Sequence, residues 1–373
     1  MQPKIIKFDA DNPDIAKIKQ AAQLIDNGML VAIPTETVYG IACRVKNDSL
    51  IRLNSLKGRT PEKHYTLHIG QRDDVKKYVP TISLKAQKLI KNAWPGPLTI
   101  VFELNKQDIN KQKSSLNKDV FKNLYKDNSI GIRCPENSIA SILLQHTLSA
   151  VVAPSANITG QSPAVDAQGV LTQLSGQIDL LLDAGPSKYK KSSTVVKIAK
   201  EGLEILRSGI YSQPELEVIS TVRFLFICTG NTCRSPIAEA MFTKYLAEKL
   251  GCELDHLDKI GYKVSSAGTM GLTGVPVSLE SAVVCADKGI DIKAQKSTAL
   301  SRRLLEESDF IFVMSRIHRD RIRNLSPEAA KKTMLLAEDK DIPDPVGQPQ
   351  RVYNNCAELI EKAIKKRISE LVI

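Results

Sequence analysis

Cys228 and Arg234, which are separated by five residues, have the clearest chemical potential in the chain. The apolar run 224–227 before them has the pattern of a buried strand, and Ser235-Pro236 after them has the pattern of a helix start. A loop between such elements directs backbone N–H groups, a helix N-terminus and a guanidinium at one small volume. The same positive field favours the thiolate form of cysteine. The segment therefore predicts a nucleophilic site that binds an oxyanion.

The elements that must hold this loop indicate two domains. A strand, loop and helix of this kind usually open a parallel sheet, yet more than half of the 373 residues precede it. We expect a first domain at 1–211, a linker at 212–221, where Pro and polar residues show no period, and a second domain at 222–373. Strand and helix patterns alternate in the second domain, which predicts a doubly wound parallel sheet. Its last helix places Cys356 on the apolar face, as a core residue.

Composition narrows the class of protein. The chain is 42% hydrophobic and 25% charged, as is typical of soluble globular proteins, and it has no apolar stretch of membrane-spanning length and no signal-peptide pattern. We therefore expect a cytoplasmic protein without a membrane partner. Seven cysteines without a C-x-x-C pair favour free thiols over disulfides or a zinc site. The net charge of +11 permits RNA or nucleotide partners, although a solvated lysine-rich surface is the simpler explanation. We interpret the lysine-rich stretch 105–128 as an exposed loop.

In the first domain, several predicted strands end in hydroxyl, amide or cationic side chains. Strand ends that meet at one edge of a sheet can form a rigid polar cleft. Convergent cations are unfavourable unless an anion lies between them, so a triphosphate is a natural ligand. The sequence has neither a P-loop nor a G-x-G-x-x-G motif after a strand, so those modes of nucleotide binding are not expected. The cations that we expect around this cleft are Lys57, Arg59, Arg133 and Arg207.

Seven motifs follow one another in this half of the chain. They are PTETVYG, KGR-x-P, WPGPLT, IRCP, APSAN, SSTVV and ILRSG, between Pro34 and Gly209. The set resembles the YrdC-like family of L-threonylcarbamoyladenylate synthases, which implies a twisted α/β fold around an open mixed sheet with a concave basic face. It also implies a reaction in which L-threonine, bicarbonate and ATP, with Mg²⁺ escorting the diphosphate, give threonylcarbamoyl-AMP. This product serves to modify adenosine 37 of tRNA, which is bound directly or through downstream transfer enzymes. No dedicated metal site of the protein is evident.

The resemblance also implies roles for single residues. Contacts to threonine or its carbamate are implied for Thr37, His68, Arg133 and Ser193. Contacts to ATP are implied for Lys57, Arg59, Lys63, Ser129, Ser155, Asn157 and Arg207, with Tyr39 completing the cleft. Such a site has to neutralise charge and align carbamate with α-phosphate, and it needs no protein nucleophile. The sequence departs from the family at 64–67 and at 190–192, where two lysines add charge beside the threonine pocket, and we expect activity to survive both.

The second half resembles the low-molecular-weight protein tyrosine phosphatase family along its length. The resemblance rests on the loop 228–236, on Ser-Ser-Ala-Gly at 265–268 and on Asp-Pro-Val-Gly at 344–347. It implies that Cys228 attacks phosphorus and that Arg234 binds the equatorial oxygens. Asn231 and Ser235 should order the loop and the thiolate. Asp344 should protonate the leaving group and then activate water, whereas Asp341 lacks the Pro-x-Gly context.

The substrate of this phosphatase is a phosphoprotein in either of two interpretations. Thr232 resembles the protein-arginine phosphatase branch, and Val346 replaces an aromatic residue that would stack on a phenol, so we favour phosphoarginine over phosphotyrosine. An arsenate reductase needs further cysteines, and 297–310 contains none. Cys233 either forms a reversible disulfide with the nucleophile or packs in the loop. Gln295 stands where we expected histidine.

We therefore predict a bifunctional cytoplasmic enzyme, and two rival hypotheses stay open. In the first, the N-terminal domain is an RNA-binding module that recruits tRNA to its basic cleft without synthase activity. In the second, the phosphatase half is only a regulatory binding domain.

Overall fold

A computed structural model of the protein describes residues 2–9, 11–58, 65–199 and 201–373. These residues form two units, Met1–Ser220 and Thr221–Ile373. Within the described ranges, no helix combines the length and the apolar character needed to cross a membrane.

A mixed sheet forms the centre of the first unit. Its described strands are β1 (Lys4–Lys7), β2 (Val31–Ile33), β3 (Gly40–Arg44), β4 (Thr66–His68), β5 (Leu98–Glu103), β6 (Ser129–Arg133), β7 (Val151–Val152), β8 (Leu180–Asp183), β9 (Thr194–Ala199) and β10 (Gly202–Arg207). They lie in the order β1-β8-β2-β3-β7-β4-β6-β5-β9-β10. Parallel pairs such as β4 with β6 and β5 with β9 are combined with antiparallel pairs such as β5 with β6. The prediction of a mixed sheet is confirmed.

Helices cover this sheet, and most of them begin at a capping side chain. They are α1 (Ile15–Asp26), α2 (Asn47–Lys57), α3 (Leu84–Ala93), α4 (Lys106–Ser115), α5 (Lys118–Leu124), α6 (Ser138–His146), α7 (Ala167–Leu174) and α8 (Gln213–Ser220), with a 3₁₀ helix at Arg72–Lys77. At the start of α1, for example, Asp14 accepts the backbone N–H groups of Ala16 and Lys17. Helices α1 and α6 pack together around buried Ile18, Ala21 and Leu143.

Strand alternation gives the centre of the sheet one apolar and one polar face. Leu67, Ile132 and Ile100 are neighbours across β4, β6 and β5, and each is at most 1% exposed in the core. One residue further along, the register pairs His68 with Arg133 and Arg133 with Thr99. Because successive side chains point to opposite faces, this second row lies on the face away from that core.

The lysine-rich stretch 105–128 contains helices α4 and α5, so our prediction of a loop is wrong, although most of its residues are exposed as expected. Asn105 caps α4 by accepting the N–H of Asp108 at 2.8 Å, and Asn117 caps α5 by accepting the N–H of Asp119 at 2.9 Å. These polar caps are also typical loop residues, which is why composition alone misled us.

The residues predicted as a linker, 212–221, contain helix α8 within the first unit. Glu215 accepts the backbone N–H of Ser212 at 2.8 Å, which is half of a capping box. Leu216 is fully buried, and the side chain of Asn92 on α3 donates to the carbonyl of Ile219 at 2.7 Å. An eight-residue helix has too few turns to display a clear period in sequence.

The second unit is a parallel sheet with helices on both faces. Its strands are β11 (Val222–Cys228), β12 (Tyr262–Gly268), β13 (Phe310–Val313) and β14 (Thr333–Leu335), in the order β12-β11-β13-β14. Its helices are α9 (Arg234–Leu250), α10 (Leu279–Ala286), α11 (Arg302–Glu307), α12 (Arg316–Leu325), α13 (Pro327–Ala330) and α14 (Gln350–Glu370), with a 3₁₀ helix at Leu254–His256. The predicted doubly wound sheet and the core position of Cys356, 3% exposed, are confirmed.

The two faces of β11 explain its continuous apolar sequence. Phe224 packs against Phe242 of α9, with ring centroids 4.7 Å apart. Leu225 and Ile227 belong to a second cluster that includes Leu305 of α11. The chain crosses from one side of β11 to the other between β12 and β13, so β11 ends at a topological switch point, where α/β sheets bind ligands.

Candidate active sites

A cleft of about 300 Å³ opens on the polar face of the first sheet. It is formed by strand ends and turns that are far apart in sequence, as predicted. Its lining includes eight of the residues to which the sequence motifs gave a role, namely Tyr39, Lys57, His68, Arg133, Ser155, Asn157, Ser193 and Arg207.

Arg133 is fixed at the end of β6 by one side of its guanidinium. Its Nη2 donates to Glu36 Oε1 at 2.6 Å and to Thr37 Oγ1 at 2.7 Å. The other oxygen of Glu36 accepts the backbone N–H groups of Glu136 and Asn137. Thr37 is thus attached to the cleft through Arg133, although it is not part of the lining. The buried Nε of Arg133 has no partner among the described residues.

His68 lies beside Arg133 in the register and is 6% exposed. Burial and the charge of Arg133 lower the pKa of His68 to about 3, so the imidazole is neutral near pH 7. Its Nδ1 lies 3.1 Å from the carbonyl oxygen of Thr66, which can only accept. The proton is therefore on Nδ1, and Nε2 is an acceptor for a ligand N–H.

Arg207 and Ser193 form another part of the cleft. Arg207 Nη2 donates to both the Oγ and the carbonyl oxygen of Ser193 at 2.8 Å. Gly209 allows this contact, because a Cβ at that position would lie 2.2 Å from the backbone nitrogen of Thr194. Arg207 has no ion pair with any carboxylate in the described ranges, so its charge is available to an anion.

Lys57 connects the end of α2 to the turn that carries Ser155 and Asn157. Its Nζ donates to the carbonyl oxygens of both residues, at 2.6 Å for Asn157. The side-chain amide of Asn157 donates to the carbonyls of Ile158 and Gln161, while its Oδ1 is buried without a partner in the described part of the chain. The ammonium thus lies in the cleft wall.

One predicted ATP contact, Ser129, is not part of the lining of this cleft. Ser129 begins β6, roughly 13 Å along the strand from Arg133, and its Oγ donates to the carbonyl of Lys126. Arg59 and Lys63 lie outside the described residues, as does His64 of the first departure from the family pattern. The lysines of the second departure, at 190 and 191, are exposed next to the lining residue Ser192.

Cys228 of the second unit ends β11 and is 2% exposed. Its sulfur accepts the backbone N–H of Asn231 at 3.2 Å and lies 3.0 Å from Ser235 Oγ. Asn231 has a positive φ of 58°, and its side chain holds the loop. Its Nδ2 donates to Ser235 and Ser266, and its Oδ1 accepts the N–H of Thr298 at 2.6 Å. Asn231 and Ser235 therefore order the loop around the sulfur.

The loop rests against the end of β12. A Cβ on Gly268 would lie 2.8 Å from the carbonyl carbon of Gly230 and 2.9 Å from the nitrogen of Asn231. Only glycine permits this backbone approach. The Ser-Ser-Ala-Gly segment therefore supports the loop.

Arg234 is buried and contacts the predicted acid directly. Its Nη2 forms an ion pair with Asp344 and also donates to Thr229 Oγ1 at 3.1 Å. Its Nη1 donates to the carbonyl of Ile342 at 3.1 Å, and its Nε is buried without a partner among the described residues. Cys228, Arg234 and Asp344 are thus brought together, as the sequence predicted.

Sequence reasoning missed several residues behind this loop. Glu239 accepts hydrogen bonds from Ser266 and from Gln295, each at 2.5 Å, and burial raises its pKa. Gln295 is thereby connected to Asn231 through Ser266. No local motif marks Glu239, because its partners are distant in sequence.

Thr232, Cys233 and Val346, which the sequence analysis singled out, lie in different environments. Thr232 is half-buried and its carbonyl accepts the N–H of Ser278 at 2.9 Å, while Val346 is 61% exposed. The sulfur of Cys233 lies 3.5 Å from both Ser278 Oγ and Tyr353 OH.

Across the described ranges of both units, no group of three or more His, Cys, Asp or Glu side chains is arranged to hold a metal ion.

Comparison with known proteins divides at the same place in the chain. A family profile named Sua5_yciO_yrdC and described as "Telomere recombination" matches residues 23–209, and one described as "Low molecular weight phosphotyrosine protein phosphatase" matches residues 223–372. The threonylcarbamoyl-AMP synthase of Pyrococcus abyssi is 31% identical over 233 residues, which are 62% of this chain and 65% of that protein. The chain thus spans less than two thirds of that relative.

Two further relatives extend the comparison. The protein-arginine-phosphatase of Geobacillus stearothermophilus is 33% identical over 154 residues, which are 40% of this chain and 95% of that protein. The crystal structure of P. abyssi Sua5 complexed with L-threonine superposes with a TM-score of 0.51 at 22% identity, over 70% of this chain and 92% of that one. The last match is evidence of a shared fold.

Proposed function

The chain belongs to the Sua5, YciO and YrdC family over residues 23–209 and to the low-molecular-weight phosphatase family over residues 223–372, and on this basis we propose a bifunctional enzyme. Its first unit makes L-threonylcarbamoyladenylate from L-threonine, bicarbonate and ATP, with release of diphosphate, for the modification of tRNA adenosine 37. Its second unit hydrolyses phosphorylated side chains of proteins through a phosphocysteine.

One observation supports the synthase proposal most directly: Arg133, His68 and Ser193 converge with Arg207 on one cleft. Two guanidinium groups suit a reaction between a carbamate and a triphosphate, because both partners are anions that repel each other. The acceptor Nε2 of neutral His68 suits the amino group of threonine. ATP enters as its Mg²⁺ complex, so the metal belongs to the substrate.

The chemistry needs charge neutralisation and alignment from the protein, but no protein nucleophile. The amine of threonine combines with bicarbonate and loses water, which gives a carbamate. A carbamate oxygen then attacks the α-phosphorus, and diphosphate leaves. Arg133 and Arg207 hold the two anions and offset their charge, which is the main contribution that a site without a nucleophile can make.

Release of diphosphate from the full-length chain tests this proposal. We expect release with ATP, bicarbonate and Mg²⁺ to depend on L-threonine, and Arg207→Met to lower kcat/KM at least tenfold. Arg52→Met is the matched control, because Arg52 pairs with Asp179 outside the cleft lining and its loss should leave kcat/KM unchanged. If no threonine-dependent diphosphate appears while RNA still binds in a salt-sensitive way, the unit is an RNA-binding module instead.

For the second unit we propose attack of the Cys228 thiolate on phosphorus, with Arg234 on the equatorial oxygens. The entering phosphate takes over the guanidinium from Asp344. The released carboxylate takes up a proton from solvent and passes it to the leaving atom. Asp344, again a carboxylate, takes a proton from water, whose oxygen attacks the phosphocysteine, and phosphate and the Cys228 thiolate are released.

Two aspartates in the same segment provide a matched test of the acid. Asp344→Asn should lower kcat for phosphotyrosine peptides by roughly 100-fold or more, because the phenolate leaves without a proton. Asp341→Asn should change it little, since Asp341 binds Arg316 rather than Arg234. If the wild-type chain and Cys228→Ser both fail to hydrolyse any phosphoarginine, phosphotyrosine or aryl phosphate probe, the unit is a regulatory binding domain.

The substrate that we propose is phosphoarginine in a protein. Thr232 in the loop and the exposed Val346, which offers no aromatic surface, support this choice. The ratio of kcat/KM for phosphoarginine over phosphotyrosine peptides should exceed one, and Thr232→Ile should lower it. A large preference of the wild-type chain for phosphotyrosine would contradict the choice.

A further inference from the structure

His318 of α12 is a buried histidine that the mechanism above does not use, and it touches the phosphate-binding loop. It is 3% exposed. Its Nε2 lies 3.0 Å from Thr229 Oγ1, directly after the nucleophile, and its Nδ1 lies 2.9 Å from Ser315 Oγ. Both ring nitrogens therefore have hydroxyl partners.

The hydroxyl of Thr229 is shared between the imidazole and the phosphate-binding arginine. Arg234 Nη2 lies 3.1 Å from the same Oγ1, and a guanidinium can only donate. One lone pair of Oγ1 is thus used by Arg234, and the hydroxyl proton is available to the imidazole. Burial and the charge of Arg234 lower the pKa of His318 to about 4, in keeping with a neutral ring whose Nε2 accepts.

The contact with Thr229 matters most when Asp344 acts as the acid. In the structure Nη2 of Arg234 contacts both Asp344 and Thr229, while Nη1 is held by the carbonyl of Ile342. Once Asp344 turns to the leaving group, Thr229 Oγ1 is the remaining protein contact of Nη2 among the hydrogen bonds described. An oriented hydroxyl at this point keeps the guanidinium plane fixed during phosphoryl transfer.

We propose that His318 is a positioning residue for Arg234. Its Nε2 accepts the proton of Thr229 Oγ1 and so turns a lone pair of that hydroxyl toward Nη2 of the arginine. The proposal rests on the phosphatase activity proposed above for the second unit.

A pair of substitutions distinguishes this role from simple core packing. The amide of glutamine reaches the position of Nε2, whereas the amide of asparagine reaches that of Nδ1. In the full-length chain, His318→Gln should keep kcat/KM for p-nitrophenyl phosphate within about threefold, and His318→Asn should lose about tenfold or more, the effect expected when a hydrogen bond to a charged group is disturbed. The affinity for orthovanadate should follow the same order.

Changes at Thr229 complete the test. Thr229→Val should lose at least as much as His318→Asn, because it removes the acceptor of Arg234 itself. Thr229→Ser should keep activity, and the double variant should be no worse than Thr229→Val alone, because both changes break the same path. Thr333→Val is the control, since it removes a buried hydroxyl of the same unit that donates to Ala329 at 2.8 Å, away from the loop. Its kcat/KM should not change.

Equal losses in His318→Gln and His318→Asn, or additive losses with Thr229→Val, would overturn the positioning role. Thermal midpoints of all variants, which should be similar for the Gln and Asn pair, separate it from misfolding. If the wild-type chain binds orthovanadate but turns over no substrate, the phosphatase proposal fails, and the order of vanadate affinities still decides the role of His318.

Discussion

Glu36 and Arg133 form an ion pair whose side chains are 3% and 7% exposed. A buried charge that loses its partner is costly, because its desolvation is no longer offset. Glu36→Gln should therefore lower the free energy of unfolding of the first unit by about 3 kcal/mol, measured by urea denaturation. Asp73→Asn removes the exposed pair with Lys76 and should change it by less than about 0.5 kcal/mol. Equal changes would mean that the pair is not buried in solution.

His68 should make the stability of the first unit depend on pH. Its pKa falls from 6.5 to about 3 on folding, so between these values the unfolded chain binds the proton more readily. Stability is therefore full above about pH 6.5 and is lost as the pH falls toward 3, by up to about 1.4 kcal/mol per pH unit. Denaturation at pH 7.5 and 5 should show a smaller difference for His68→Gln. An unchanged difference would contradict the neutral buried ring.

At the scale of elements, two glycines differ in how closely neighbouring atoms approach them. A Cβ on Gly209 would lie 2.2 Å from Thr194 N, whereas one on Gly131 would meet no atom closer than 3.7 Å. Gly209→Ala should push β9 and β10 apart and lower kcat/KM of the proposed synthase reaction by about 100-fold, while Gly131→Ala should stay near wild type. Hydrolysis of p-nitrophenyl phosphate by the same chains, unchanged in both, controls for protein quality. Similar synthase losses in both variants would contradict this explanation.

The elements that carry motifs were predictable, because the residue types within each motif determine its local geometry. The apolar run of β11 followed by Cys228 and Ser235 needs no knowledge of the rest of the chain. Contacts across long distances were not predictable: Glu36 meets Arg133 97 residues away, and Thr229 meets His318 89 residues away. Such pairs depend on strand order and register, which periodicity does not encode.

The same limit applies to short polar helices. Helices α4 and α5 are capped by Asn105 and Asn117, and asparagine is common both in turns and at helix N-caps. What decides between the two is burial of the other face, as with Gln112 at 2% exposed, and burial is a tertiary property.

At the scale of the whole molecule, the border between the two units is sharper than the sequence suggested. Helix α8 completes the first unit by packing fully buried Leu216 against the core that includes Trp94. A fragment 1–220 should therefore unfold at a urea concentration clearly above that of a fragment 1–211, because the latter loses this buried side chain and leaves α3 uncovered. Identical midpoints would show that α8 adds nothing to the unit.

The contact between Arg234 and Asp344 has a consequence for which anions the second unit accepts. A ligand must displace a carboxylate that the protein itself supplies and that is therefore always present beside the guanidinium. Chloride or a single carboxylate offers no more charge than Asp344 does, whereas a phosphoryl dianion offers twice as much. Asp344 therefore competes with ligands for Arg234, and abundant monoanions should not occupy the anion-binding loop.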